Sequence, residues 1–380
     1  MSALSKNLGL CCAILAGSHG LPAFAQKNSA PIYQDPFDLG AGGASLTRAS
    51  QVGVLFSNPA LLAYGGGFHR WLGTEFSVLS NRESIETVRG VITGSGGEDD
   101  ASAESTEGTE EGSETADFVE KIFDDPVHIG WGSTLAWITS LGGFSVFSRF
   151  EPDLRARQFG ATGLPEVRFR AESYHGAIAG TSLRTPWRWL AFGAAAKYLY
   201  VSEPDIAVEI TDEAKIAELS SPDFVQNLAS HNTGVGLDGS VLAFFQGRRV
   251  DYSFAGKIDD IGDTKLSGEQ NPESFRQVMS AGAAITFHTG ADALHLALDM
   301  RDIGEVYGEP LYKRVHAGAK LTLRTWVGLS AGIHHGYPSF GAEVDLILLR
   351  LSATSWTREM SNTPGLDTRR IWLVSLSAGI

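Results

Sequence analysis

Cysteine is almost missing from this chain. The only two, Cys11 and Cys12, are adjacent near the start. Once an N-terminal leader is removed, no disulfide, cysteine–zinc site or thiol nucleophile can form. Such avoidance suits an oxidising compartment such as the periplasm. Basic residues are also scarce: Lys and Arg total 30 against 44 Asp and Glu, a net charge of −14. No basic stripe is present to neutralise phosphates, which argues against a nucleic-acid partner. After the leader, no run has the length and apolarity of a membrane helix. The chain contains no H-E-x-x-H, no G-x-S-x-G and no P-loop. Catalytic residues, metal ligands and a cofactor are therefore not assigned, and no enzymatic activity is expected. A Ser–His pair assembled from adjacent strands would leave no sequence motif.

The first residues read as an export signal. Lys6 supplies a positive start, Leu8 to Gly17 a short apolar run, and Ala23-Phe24-Ala25 a small-x-small cleavage site before Gln26. Leu10 precedes Cys11 where a lipoprotein would need a small residue. Residues 1–25 are thus expected to be a signal peptide.

What the chain has in abundance is period-two alternation. Leu294, Leu296, Leu298 and Met300 share one face, and His295, Ala297, Asp299 and Arg301 the other. Trp372, Val374, Leu376, Ala378 and Ile380 oppose Ser375, Ser377 and Gly379. Similar patterns predict strands at 68–80, 127–138, 142–151, 166–183, 190–202, 233–245, 250–258, 277–288, 294–302, 314–324, 325–335, 339–346, 348–358 and 369–380. A soluble sandwich also alternates. Three features favour a membrane barrel of about fourteen antiparallel strands. The polar face is rich in Gly, Ser and charge. Trp71, Trp131, Trp137, Trp189, Trp326, Trp356 and Trp372 fall near strand ends, as interfacial girdles would. Connections alternate between long and short, as external loops and periplasmic turns do.

Two external loops stand out. Residues 98–125 hold twelve acids against Lys121, a net of −11. The loop spanning 93–125 is expected to be disordered, because such a composition cannot bury apolar area. The loop 203–232 contains helical spacing over 211–230, with Ser221-Pro222-Asp223 as a helix start. Gly234-x-Gly236-x-x-Gly239 spells a dinucleotide fingerprint but lies inside a strand pattern, so a barrel wall explains it better. His334-His335 could suggest a metal, but neighbouring strand residues point to opposite faces, so the pair chelates only across a turn such as Gly336-Tyr337-Pro338, and an external-loop pair is the better reading. Arg168, Arg170, Glu172, Asp238, Asp299, Arg301, His316, Lys320, Arg324, Glu343 and Asp345 are expected to line the lumen. They form either an internal salt-bridge lattice or substrate contacts.

Residues 35–67 read DPFDLGAGGASLTRASQVGVLFSNPALLAYGGG and precede the first strand. This small-residue run followed by Asn58-Pro59-Ala60 resembles the N-terminal segment of the long-chain fatty-acid transporter (FadL) superfamily. The remainder, including Gly234-Val235-Gly236-Leu237-Asp238, Asp260-Ile261-Gly262-Asp263-Thr264 and Trp356-Thr357-Arg358-Glu359, is similar to the PorV/TraF-like branch. The resemblance implies a hatch, residues 26–67, inside an outer-membrane barrel, residues 68–380. Pro59 cannot join a ladder and Asn58 can bond its own backbone, so this segment is expected to fold as a plug. Phe56, Asn58, Pro59 and Ala60 are the candidate hatch residues, either a gate or a fixed cork. The implied location is the outer membrane of a diderm bacterium, among lipid and lipopolysaccharide. The implied function is passage of small hydrophobic compounds. A non-transporting role beside a secretion, conjugation or envelope-assembly system is the alternative.

Overall fold

The computed structural model describes residues 32–49, 52–64, 72–81, 127–157, 166–209, 232–268, 274–324, 326–359, 363–365 and 368–379. The expected leader, the acidic loop and the helical pieces of 211–230 lie outside the described residues.

The chain begins with short elements: helix α1 (Pro36–Gly40), helix α2 (Val54–Ser57) and a 3₁₀ turn (Pro59–Tyr64). The strands follow: β1 (Leu72–Asn81), β2 (Val127–Ile138), β3 (Gly142–Arg157), β4 (Glu166–Arg184), β5 (Leu190–Ser202), β6 (Asp205–Glu209), β7 (Asn232–Phe245) and β8 (Val250–Asp259). They continue with β9 (Leu266–Gly268), β10 (Val278–Thr289), β11 (Asp292–Met300), a one-turn helix α3 (Leu311–Arg314), β12 (Val315–Leu323), β13 (Val327–His334), β14 (Tyr337–Leu346), β15 (Leu349–Glu359) and β16 (Thr368–Gly379).

Each wall strand pairs antiparallel with its neighbour in order, and β1 closes on β16 from Gly73↔Gly379 to Asn81↔Ile371. The result is a closed fourteen-strand barrel. Strands β6 and β9 are not part of the wall: β6 extends β4 and β9 extends β7 beyond the rim. Among the described residues the fourteen wall strands close on one another and leave no free edge.

The alternation is that of a wall with an apolar outside. Leu298, Val374 and Leu376 are exposed, while Asp299, His295, Ser375 and Ser377 are buried on the inner side. Val235 and Leu237 face outward beside Gly234 and Gly236, so the glycine-rich stretch is wall. Trp131, Trp137, Trp189, Trp326 and Trp372 are exposed. Trp356 differs from the girdle expectation. It is buried with Leu39, Ile371 and Leu373. The parity of β15 settles this: Ser352, Thr354 and Trp356 share the inner face.

Short connections cluster at one end, at 139–141, 185–189, 246–249, 290–291 and 347–348 and between β12 and β13. Their geometry is local chemistry. The Thr139 hydroxyl donates to the Gly142 carbonyl across one turn at 2.7 Å. The opposite end carries the long connections, as the external end of a membrane barrel does.

Candidate ligand cavity and hatch

The N-terminal segment fills much of the lumen, and two unlike contacts hold it. The first half meets β11 to β16 mainly through polar groups. After α1 the chain bends at Gly42 and Gly43, both at positive φ (71° and 78°), where a side chain would be strained. The bend lies against the backbone of Gly318 and Gly332; a Cβ at either wall position would collide with Ala41 or Gly42.

Wall side chains then grip the hatch backbone. Asp299 accepts from the amides of Ser45 (2.7 Å) and Leu46 (2.9 Å). Arg301 donates to the Gly43 carbonyl at 2.7 Å. His316 and His334 both meet the Gly42 carbonyl through Nδ1, at 2.8 and 3.2 Å. Because a carbonyl only accepts, each ring donates from that nitrogen. Ser339 bridges Gly40 and Gly42, and Thr354 donates to the Pro36 carbonyl. Lys320 pairs with Asp38 and also reaches the Arg48 carbonyl.

The second half packs on β3, β4, β5 and β7 mainly through apolar contact. Val54, Leu55, Phe56 and Leu62 join Phe147, Ile178, Ala195 and Leu199 in one cluster. The Phe56 and Phe147 rings meet edge to face at 5.1 Å. Its main bolts are Lys257, which donates to the Phe56 carbonyl, and Ser240, which accepts from the Ala60 amide at 3.0 Å. Asn58 ties the two halves together. Its side-chain amide donates to the Leu46 carbonyl at 2.7 Å and its oxygen accepts from Ala60 at 3.0 Å. Pro59 and Ala60 abut Gly193 on the wall.

Of the other sequence candidates, Arg170, Glu172, Asp238, Glu343 and Asp345 are inner-wall groups in ion pairs. Arg170 meets Glu172 at 2.8 Å, Glu172 meets Arg358 at 3.3 Å, and Arg358 meets Glu151 at 3.1 Å. Arg149 also pairs with Glu151. Lys197 lies between Asp238 (2.9 Å) and Asp260 (3.0 Å). Glu343 and Asp345 flank Arg350 at 3.7 and 3.5 Å. Arg168 lies half-buried on β4. Arg324 falls in the β12–β13 turn, exposed, where it does not line the lumen. Its backbone amide donates to Asp292. Residue type alone leaves lattice and ligand contact open, and most of these side chains satisfy one another or the hatch.

Between hatch and wall, toward the end with the long connections, lies a cavity of about 100 Å³. Ile32, Tyr33, Pro36 and Leu39 of the hatch line it together with Phe147, Tyr174, Phe275, Trp356 and Leu373. Arg149, Glu151, Arg170, Glu172, Glu203 and Arg358 supply its charged part, and His334 and His335 one corner. Tyr33 donates to Glu75 at 2.9 Å, and burial, then Glu75 and Asp35, raise its phenol well above the ordinary range. Tyr174 donates to Glu203 at 2.7 Å.

The two histidines lie at the connection between β13 and β14, at the end with the long connections, where an external-loop pair was expected. Both are buried, and their rings stack at 4.2 Å with 12° between planes. His335 and Gly336 form a two-residue hairpin with positive φ at both positions (52° and 81°). That turn reverses the chain and brings the second ring over the first. His316 completes the group, 5.1 Å from His334 and 5.9 Å from His335. Burial lowers the His335 pKa well below the ordinary imidazole value, with His334 and His316 adding to the effect.

Sequence reasoning named neither Arg149, Glu151 nor Tyr33, and it placed Trp356 in a girdle and Arg358 in a family motif, not at the lumen. A signal was available: Phe147, Arg149 and Glu151 continue one face of β3, and Trp356 and Arg358 one face of β15.

No family model and no curated protein matches this chain. Solved structures do. One is a "TodX deltaS2S3 mutant monoaromatic hydrocarbon channel", with TM-score 0.50 and 12% identity over 93% of this chain and 100% of that one. The toluene transporter TodX of Pseudomonas putida gives 0.49 at 11% identity, covering 93% and 100%. The CymD monoaromatic hydrocarbon channel gives 0.48 at 10%, covering 92% and 98%. At such identity the first likeness shows the fold: an outer-membrane-type barrel with the fold of a hydrocarbon channel.

Proposed function

We propose that this chain is exported through its leader, inserts in the outer membrane of a diderm bacterium, and passes small hydrophobic compounds inward. The observation that carries the reading is the cavity between hatch and wall, where Ile32, Pro36, Leu39, Phe147, Phe275 and Trp356 offer apolar and aromatic surface. Dry cavities of about 150 Å³ hold a single benzene ring, and this one is of the same order. The barrel fold shared with a monoaromatic hydrocarbon channel agrees with it.

Full-length protein in proteoliposomes is the test. Benzene should exchange faster across these membranes than across protein-free ones, measured with a trapped reporter, while glucose should not. Leu39→Trp, which fills the cavity from the hatch side, should slow benzene at least severalfold. Equal benzene exchange with and without protein would end the transport reading. That outcome would favour the second reading, a non-transporting component of a secretion or envelope-assembly system. The many polar bonds on α1 and the Gly42–Leu46 bend, which suit a fixed cork, are its support.

A further inference from the structure

We propose that the cavity is selective for a neutral ring compound bearing a hydroxyl, a phenol, over both the bare hydrocarbon and the carboxylate. This rests on the transport reading and names the class of compound that the same cavity prefers.

The argument starts from His335. It is only 6% exposed, and it lines the cavity. A neutral imidazole carries one donor and one acceptor. His316 and His334 each use Nδ1 on the Gly42 carbonyl. Nδ1 of His335 has no hydrogen-bond partner. The ring beside it does not supply one, because His334 touches it face to face, stacked at 4.2 Å. A buried polar atom left without a partner carries a desolvation penalty that a bound hydroxyl removes. Burial beside two other imidazoles also keeps the ring neutral, so it offers hydrogen bonding without charge.

The rest of the lining fits the body of such a compound. Phe147, Phe275 and Trp356 present aromatic surface for a ring. The charges, by contrast, are already used. Arg358 is held by Glu151 and Glu172, Arg170 by Glu172, and Arg149 by Glu151. A carboxylate entering here would compete with two glutamates for arginines that are taken, and would meet Glu203 as well. A bare hydrocarbon would fill the apolar part and leave His335 as it is. A site built to bond a hydroxyl discriminates against the analogue that lacks one.

The experiment measures binding of phenol, benzene and benzoate to the full-length protein in detergent micelles by calorimetry, and their exchange in the same proteoliposomes. Phenol should bind about tenfold more tightly than benzene, with benzoate weakest. His335→Phe keeps a ring on His334 but has no polar atom, and should bring the phenol-to-benzene ratio near one. His335→Gln, which restores a donor and an acceptor, should recover part of the preference. Fast migration of the unboiled variants establishes that each barrel is assembled. Should His335→Phe fail to assemble, the ratios in wild type and His335→Gln still decide. Phenol and benzene binding equally to wild type would overturn the selectivity and leave the transport reading standing. Benzoate binding most tightly would overturn it in favour of recognition by the arginines. An unchanged ratio in His335→Phe would also overturn it. Absence of both binding and exchange for all three would defeat the transport reading itself.

Discussion

The two halves of the hatch touch the same wall by opposite means. From Pro36 to Leu46 the contact is directional: backbone carbonyls and amides meet Asp299, Arg301, His316, His334, Ser339 and Thr354 at fixed angles. From Val54 to Leu62 the contact is chiefly burial, with Leu55, Phe56 and Leu62 in one apolar cluster. Hydrogen bonds of this kind specify one geometry and contribute little when it is disturbed. Apolar contact is proportional to area and tolerates sliding. The polar half therefore defines where the hatch sits, and the apolar half supplies most of the adhesion. Asn58, bonded to Leu46 from the second half, couples them.

The largest expected effect lies on the apolar side. Leu55 is fully buried against Gly180 on the wall. Leu55→Ala removes methyl groups and leaves a cavity, costing about 3 kcal/mol. With Cys11 and Cys12, the two native cysteines, changed to Ser, single Ser45→Cys and Ser57→Cys reporters can follow the two halves separately; both serines are buried. Leu55→Ala should raise the labelling rate of the thiol at position 57 by a water-soluble reagent about a hundredfold, and that of the thiol at position 45 much less. Equal acceleration at both positions would mean that the hatch opens as one body, and the contrast between the halves would fail.

Next comes the polar side. Asp299→Leu strands the amides of Ser45 and Leu46 without an acceptor, for roughly 2 kcal/mol. The thiol at position 45 should then label some thirtyfold faster, with the one at position 57 nearly unchanged. If position 45 stays protected, the glycine seat formed by Gly318 and Gly332 is sufficient to hold the bend without the carboxylate.

Much of this wall was legible from residue type alone. In β2 (Val127–Ile138) and β5 (Leu190–Ser202) the expected and observed spans coincide, because two-faced strands write their period directly into the sequence. Strand β6 was missed: Asp205–Glu209 lies in a segment expected to be loop, and it pairs only with the overhanging start of β4. The hatch contacts were not legible for a different reason. They join residues far apart in the chain, such as Ser45 and Asp299, 254 positions apart, or Ala60 and Ser240, 180 apart, and no local pattern encodes that register. Alternation could mark Asp299, His316 and Lys320 as inward, but not that the hatch backbone would occupy them. His334-His335 could be read as a pair at the connection after β13, but not as a buried stack, because the positive-φ hairpin that folds the second ring over the first is not written in residue spacing.

The smallest expected effect is a pH response confined to the polar half. His335 is buried, and its pKa is held well below the ordinary imidazole value by burial, then by His334 and His316. Arg358 of β15 and Lys313 of α3 also resist another positive charge there, and Arg301 stands at the same bend. His335 shares the cavity with Gln34, Pro36 and Leu39 of the hatch; with that part of the hatch released and the ring in water, it would regain its usual pKa of about 6.5. The closed form thus keeps its full stability above that pH and loses it as the pH falls, since the open form takes the proton and the closed form does not. Between pH 7.5 and pH 6 the shift is below about 1 kcal/mol for one group. The labelling rate of the Ser45→Cys thiol, corrected for thiolate content with a small-molecule thiol, should rise a few fold over that interval. The Ser57→Cys thiol, beside Leu55 and Phe56, should not follow, because no histidine is among the residues of that apolar cluster. His335→Phe should flatten the profile at position 45. A rise at position 57 equal to that at position 45 would show that acid loosens the whole hatch. A flat profile at position 45 with His335 in place would show that the histidine corner stays closed whatever its charge.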